Sequence, residues 1–133
     1  MNRNAPVLTS TCILIVDDDR GASQALSFML AARGFDDVRT VRSNARAVAV
    51  AEKFRPGIVF IDLDLPEGGG IDLGKRLQQK ARQHPMRLIA LANSAEHEKR
   101  EAARTAGFER YVAKPPAQVE LDKILRIAPD IAA

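Results

Sequence analysis

Apolar residues along this chain follow two alternating spacings. Continuous apolar blocks fill residues 12–16 and 58–61, with others that include polar residues at Val38–Val41, 87–91 and Arg110–Ala113. Between them apolar positions recur at the three-to-four-residue interval of a helix. Ala22, Ala25, Leu26, Met29 and Leu30 form the first such stripe, ending near Gly34, a favourable residue just past a helix end. Ala47, Val50, Ala51 and Phe54 form the second, closed by Arg55-Pro56-Gly57. Leu73, Leu77 and Ala81 mark the third, and Leu121, Ile124, Leu125 and Ala128 the last. Strand blocks alternating with helical stripes predict βα repeats around a parallel sheet. The uniformly apolar block 58–61 reads as a strand buried on both faces. Val38–Val41, with charged neighbours, reads as a strand nearer an edge. The segment 96–106 offers only Ala102, Ala103 and Ala106 to a core. Alanines remove little apolar area from water, so this helix is the candidate mobile element.

Composition narrows the class. A chain of 133 residues is about one domain, and five βα units leave no room for a second. No apolar stretch approaches the ~20 residues of a membrane span. Residues 1–10 lack the apolar block of a secretory signal and read as a frayed lead-in. The single cysteine, Cys12, permits no internal disulfide, reads as a small buried hydrophobe, and fits a reducing cytoplasm. The net charge of +3 comes from basic residues scattered among acids on helical segments. There is no basic block, tryptophan or zinc-ligand spacing, which argues against direct nucleic-acid binding. The basic excess instead solvates helices or faces an acidic protein.

Candidate chemistry sits where three of the strand blocks end. Residues 12–16 lead into Asp17-Asp18-Asp19, 58–61 into Asp62, and Arg110–Ala113 into Lys114-Pro115. In an open parallel sheet these ends lie at one edge, where ligands bind. Asp17, Asp18 and Asp62 would then form an acidic pocket whose mutual repulsion favours a bridging cation. All-oxygen ligands suit Mg²⁺, which also takes phosphate oxygens. Lys114 supplies a fixed positive charge for a phosphoryl oxygen. An aspartate so placed can be a nucleophile that forms an acyl phosphate. Each element has a plainer reading: an Asp run can cap a helix, Lys-Pro can be a turn, and Asp62/Asp64 alone is a weak motif. Their joint occurrence at successive strand ends carries the argument.

In that combination residues 11–128 resemble a receiver domain of two-component response regulators. Ile13-Leu14-Ile15-Val16-Asp17-Asp18-Asp19 is similar to the family's acidic-pair strand. The stretch from Ile61-Asp62-Leu63-Asp64 to Gly70 resembles its phosphoacceptor strand and loop. Tyr111-Val112-Ala113-Lys114-Pro115 resembles its aromatic switch, lysine and cis-peptide proline. The resemblance implies a doubly wound, flavodoxin-like (βα)5 fold of three α/β/α layers in a bacterial, cytoplasmic signalling protein rather than an enzyme. It implies phosphoryl transfer from a histidine kinase or phosphotransfer protein to Asp62. Mg²⁺ or Mn²⁺ would be held by Asp18, Asp62 and the backbone carbonyl of Asp64, with Asp17 acting through water. Lys114 would contact the phosphoryl group, Tyr111 would turn inward, and the surface of the fourth helix, fifth strand and fifth helix would engage a downstream protein.

One departure stands out. Where the family usually has Thr or Ser at the end of the fourth strand, this chain has Ala92, followed by Asn93-Ser94. A hydrogen bond to a charged group is worth about 1.5–3 kcal/mol, or roughly 10- to 150-fold. Coupling to Tyr111 is therefore expected to be weakened or rewired, with Ser94 and Asn93 as candidates. Pro116 also replaces the aromatic residue often found after the proline. Two rival readings follow: a receiver-like interaction module that signals without phosphorylation, and an aspartyl phosphatase. The second rests on Phe60-Ile61-Asp62-Leu63-Asp64, similar to the haloacid-dehalogenase motif, but here in a third rather than a first strand. Residues 129–133 read as a short tail. The chain reads either as a stand-alone receiver, with weak self-association through its last helices, or as part of a longer regulator or hybrid kinase.

Overall fold

Ten elements alternate strictly in the computed structural model, which describes residues 5–66, 69–93 and 96–127. They are β1 (Ile13–Val16), α1 (Arg20–Ala31), β2 (Val38–Val41), α2 (Asn44–Phe54), β3 (Ile58–Asp62), α3 (Gly69–Lys80), β4 (Arg87–Ala92), α4 (His97–Thr105), β5 (Arg110–Ala113) and α5 (Gln118–Leu125). All pairings are parallel, in the order β2-β1-β3-β4-β5. This is the doubly wound, flavodoxin-like arrangement expected, with β2 at an edge. Its strand order reverses between β1 and β3, where such sheets bind ligands.

Alternation along the strands builds two cores, because successive side chains point to opposite faces. Leu14, Val16, Val59, Ile61, Leu88 and Ala90 pack against α2, α3 and α4. Ile13, Ile15, Ile58, Phe60, Ile89 and Leu91 pack against α1 and α5. The central strands β1 and β3 are buried throughout.

The stripes differ from expectation in detail. In α1 the buried residues are Ser23, Leu26 and Leu30, whereas Ala25 is exposed. The three-to-four-residue spacing from Leu26 and Leu30 reaches back to position 23, and the Ser23 hydroxyl is accommodated by donating to the Arg20 carbonyl at 3.1 Å. Within α4 only Ala103 is buried, joined by Ala106 just past its end, while Ala102 faces solvent. In α3 glycines 70 and 74 fill the places beside Leu73 and Leu77, and Ala81 falls beyond the helix. The lead-in is tied down at Val7, whose N–H donates to the Leu125 carbonyl at 3.0 Å. Cys12 is half-buried just ahead of β1, and its thiol donates to Asp37 at 3.2 Å. Burial, then Asp37, pushes that thiol above its usual pKa. Ala128, the tail, Ser94 and part of the 66–70 loop lie outside the described residues. Among the described residues no helix is long and apolar enough to cross a membrane.

At the amino-terminal end of the sheet, Glu109 clamps β4 to β5. Its carboxylate receives Nε of Arg87 at 2.8 and 3.1 Å and also Nη2. The Arg87 hydrogen bonds lower the Glu109 pKa despite its partial burial. A lowered acid pKa contributes stability above the ordinary value, and that contribution is lost as pH falls through the folded value. Glu109→Gln should therefore destabilise the fold by about 0.5–1 kcal/mol at neutral pH. Urea midpoints for variant and parent should converge once pH falls below the lowered folded value; a gap that keeps its size from neutral to acid pH would rule the charge out as its cause.

Candidate functional site

The sheet register assembles the site. Val16 pairs with Ile61 and Asp62 with Leu91, so Asp17 and Asp62 emerge from adjacent strands at the carboxyl edge. Ala92 pairs with Ala113, and the Lys114 N–H continues that ladder to the Ala92 carbonyl at 3.0 Å. Lys114 thus starts two strands from Asp62, roughly 10 Å at ordinary strand spacing. Its stem spans β4, and its ammonium ends 2.9 Å from Asp17 Oδ2 and 3.3 Å from Asp62 Oδ2. The Lys114 side chain is only 9% exposed. The peptide bond to Pro115 is cis, as the resemblance implied.

The Asp run divides its work. Asp19 caps α1, accepting the N–H groups of Gly21 and Ala22 at 2.9 and 3.2 Å. Asp17, buried, accepts the Asp19 N–H at 2.9 Å on Oδ1 and presents Oδ2 to Lys114. Asp18 is exposed at the rim. Asp17, Asp18 and Asp62 each offer an oxygen, all within 4.8 Å of one another. Hard oxygen donors at this spacing, with one ammonium among three carboxylates, fit a small divalent cation such as Mg²⁺ or Mn²⁺.

Electrostatics at Asp62 reflect crowding. Burial raises its pKa, and the neighbouring Asp17 carboxylate adds to the rise, against the Asp64 N–H and Lys114. The Asp64 N–H donates to Asp62 Oδ1 at 2.9 Å. For Lys114, burial would lower the pKa, but Asp17 and Asp62 together outweigh it and raise it. The lysine is therefore a fixed cation at neutral pH.

Three further side chains surround this centre. The Asp64 carboxylate lies outside the three-aspartate group, with Lys99 Nζ of α4 at 3.1 Å and Asn93 Nδ2 at 3.5 Å. Tyr111 is half-buried, with the Arg100 guanidinium 5.1 Å from its ring centre. Ala92 is fully buried and brings no hydroxyl. Sequence reasoning did not find Lys99, Arg100 or Asn44, whose side-chain amide donates to the Gly69 carbonyl at 3.2 Å. No pattern marks the two α4 residues, because their contacts depend on how the helix is set on the sheet. Asn44 had one signal, a polar residue one turn ahead of Ala47 on the buried stripe.

Residues 13–126 match the family model for the response regulator receiver domain. The chain belongs to that family. The receiver is 34% identical over 115 residues to the "Uncharacterized 14.6 kDa protein in sodA1 3'region" of Leptolyngbya boryana, covering 86% of each chain. It is 28% identical to the polar-differentiation response regulator DivK of Brucella anthropi, over 77% of this chain and 83% of that one. Its fold is shared with the receiver domain of Ssk1 from Saccharomyces cerevisiae, solved in complex with the histidine phosphotransfer protein Ypd1. That likeness has a TM-score of 0.77 at 22% identity and covers 87% and 86% of the two chains. Receiver domains are signalling domains.

Proposed function

We propose that this receiver, residues 11–128, takes a phosphoryl group on Asp62 from the phosphohistidine of a kinase or phosphotransfer protein in the cytoplasm. The observation that carries the reading is the position of Lys114, which brings one ammonium within ion-pair distance of both Asp17 and Asp62. In the transfer an Asp62 carboxylate oxygen forms the new P–O bond while the P–N bond to histidine breaks. The electron pair returns to the imidazole, which is then protonated. The Asp64 N–H and Lys114 hold the two Asp62 oxygens from different sides, which fixes the carboxylate for attack. Burial and the nearby Asp17 make this carboxylate more basic than usual, and therefore a better nucleophile once ionised. Lys114 neutralises charge on the phosphoryl oxygens. Asp17, Asp18 and Asp62, with the Asp64 carbonyl, would hold Mg²⁺ or Mn²⁺, which when bound supplies further neutralisation of phosphoryl charge. Ssk1, a receiver of the same fold, binds a histidine phosphotransfer protein, and a partner of that class fits this site. The α4/β5/α5 surface, next to Tyr111, is the place for a downstream protein.

The test is intact-mass measurement after incubation with Mg²⁺ and acetyl phosphate. One phosphoryl-sized gain is expected, absent from Asp62→Asn. No gain from any donor would leave the non-phosphorylating module as the better reading, and a gain retained by Asp62→Asn would place the acceptor elsewhere.

A further inference from the structure

The absence of a hydroxyl at Ala92 raises the question of what connects Asp62 to the rest of the molecule. In this chain the contact between the site and α4 is electrostatic. Lys99, in the first turn of α4, places Nζ 3.1 Å from Asp64 Oδ1, and Glu96 lies 4.0 Å from the same ammonium. Asp64 is in turn bound to the acceptor, because its N–H donates to Asp62 Oδ1. The next residue, Arg100, covers Tyr111. One helical turn therefore touches both the acceptor loop and the aromatic side chain, through adjacent residues.

Three physical points make this contact a relay. First, the pair is weak: the Lys99 side chain is 42% exposed and that of Asp64 32%, so solvent screens it and a stronger anion can redirect it. Second, such an anion arrives with phosphorylation, which puts a phosphoryl group of about −1.5 to −2 charge beside Asp64 in place of the single negative charge of the Asp62 carboxylate. A lysine has three donors on a flexible four-carbon stem and can follow that charge. Third, α4 is lightly anchored, with Ala103 its one buried residue, so a small shift exposes little apolar area. A displacement of Lys99 towards Asp62 carries Arg100 with it and changes the cover over Tyr111.

We propose that Lys99 is the positioning residue that passes the phosphorylation state of Asp62 to α4 and Tyr111, standing in for the hydroxyl that Ala92 does not carry. The inference rests on Asp62 being the acceptor. Asn93, the described one of the two residues first considered for this role, reaches Asp64 but belongs to no helix, whereas Lys99 adjoins Arg100, whose guanidinium lies over the Tyr111 ring.

The experiment uses ¹⁵N-labelled full chain, treated with Mg²⁺ and acetyl phosphate, with occupancy read by intact mass on the same samples. The readout is the amide-shift change across α4 and β5 per phosphoryl bound. In Lys99→Met this response should fall to about a third of the parent's or less, while Lys99→Arg, which keeps the charge, should retain at least about half. Adding Ala92→Thr to Lys99→Met should restore it by supplying the missing donor. The unphosphorylated spectrum of each variant reports that it is folded. An undiminished response in phosphorylated Lys99→Met, an arginine variant as silent as the methionine one, or a double variant with no recovery would each overturn the relay. A parent that gains no mass is a different result: it removes the proposed function and the relay with it.

Discussion

Lys114→Met is expected to lower the folding stability by about 3 kcal/mol at neutral pH in the absence of divalent cations, from the cost of leaving a buried charge without its partner. The ammonium has two carboxylates within ion-pair distance, and both are almost fully buried. Methionine keeps most of the stem volume, so the loss reports charge more than packing. Asp62→Asn should behave in the opposite sense. The centre holds three carboxylates against one ammonium, and Asp17 already raises the pKa of Asp62, so removing one negative charge relieves repulsion. That variant should be neutral or up to about 1 kcal/mol more stable. Urea unfolding of the three proteins, with the slope required to stay constant, measures both effects. If Lys114→Met unfolded at the parental midpoint, the ammonium would not be the counter-charge of this pocket. If Asp62→Asn lost as much as Lys114→Met, the individual Lys114–Asp62 contact would matter more than the charge excess.

How much of this was legible in the sequence depends on the range over which each feature is determined. The five strands were readable because β1 and β3 are buried on both faces and therefore apolar up to the Asp62 that ends β3, and all five strands fall within one residue of the blocks that announced them. β2 was legible as an edge for the opposite reason, since Arg39 and Thr40 in its middle face solvent. The convergence of Asp17, Asp62 and Lys114 was legible too, because in a parallel sheet strand ends share an edge whatever the loops do. Which residues of an alanine-rich helix turn inward was not. Ala102 and Ala103 are chemically identical, and only the seating of α4 on Phe108 and the sheet separates them. The same applies to Ser23 and Ala25, where one hydroxyl bond to the Arg20 carbonyl offsets the polarity that made Ser23 look like a surface residue. Lys99 and Arg100 were hidden for a related reason. A charge on an exposed helix reads as solvation until the loop it faces is known, and that loop is positioned by the backbone hydrogen bond from Leu63 to Leu91 rather than by a sequence pattern.

Gly70→Ala is expected to harm both stability and phosphoryl uptake, against the usual direction for a helix. Replacing glycine by alanine within a helix ordinarily gains up to about 1 kcal/mol. Here the added Cβ would lie 2.5 Å from the Asp62 carbonyl oxygen, 2.7 Å from Ile61 Cγ2 and 2.9 Å from Leu63 Cα. Two of these are backbone atoms of the segment that presents the acceptor carboxylate, so relief requires Asp62 itself to move. Overpacking of this kind costs about 1–3 kcal/mol and exceeds the helical gain. The displacement matters more for chemistry, since an error near 1 Å in a reacting group can lower a rate about 100-fold. Gly74→Ala, one turn along α3, is the control. Its Cβ would meet the Phe108 ring at 2.3 Å, a side chain of the core rather than the backbone that carries Asp62. Both variants should lose stability in urea, but only Gly70→Ala should lose mass gain with acetyl phosphate by tenfold or more at equal folded fraction, a conservative share of that ~100-fold effect. Equal uptake by the two would mean that the α3–β3 contact sets stability alone and that Asp62 is held in place by Lys114 and the Asp64 N–H without it.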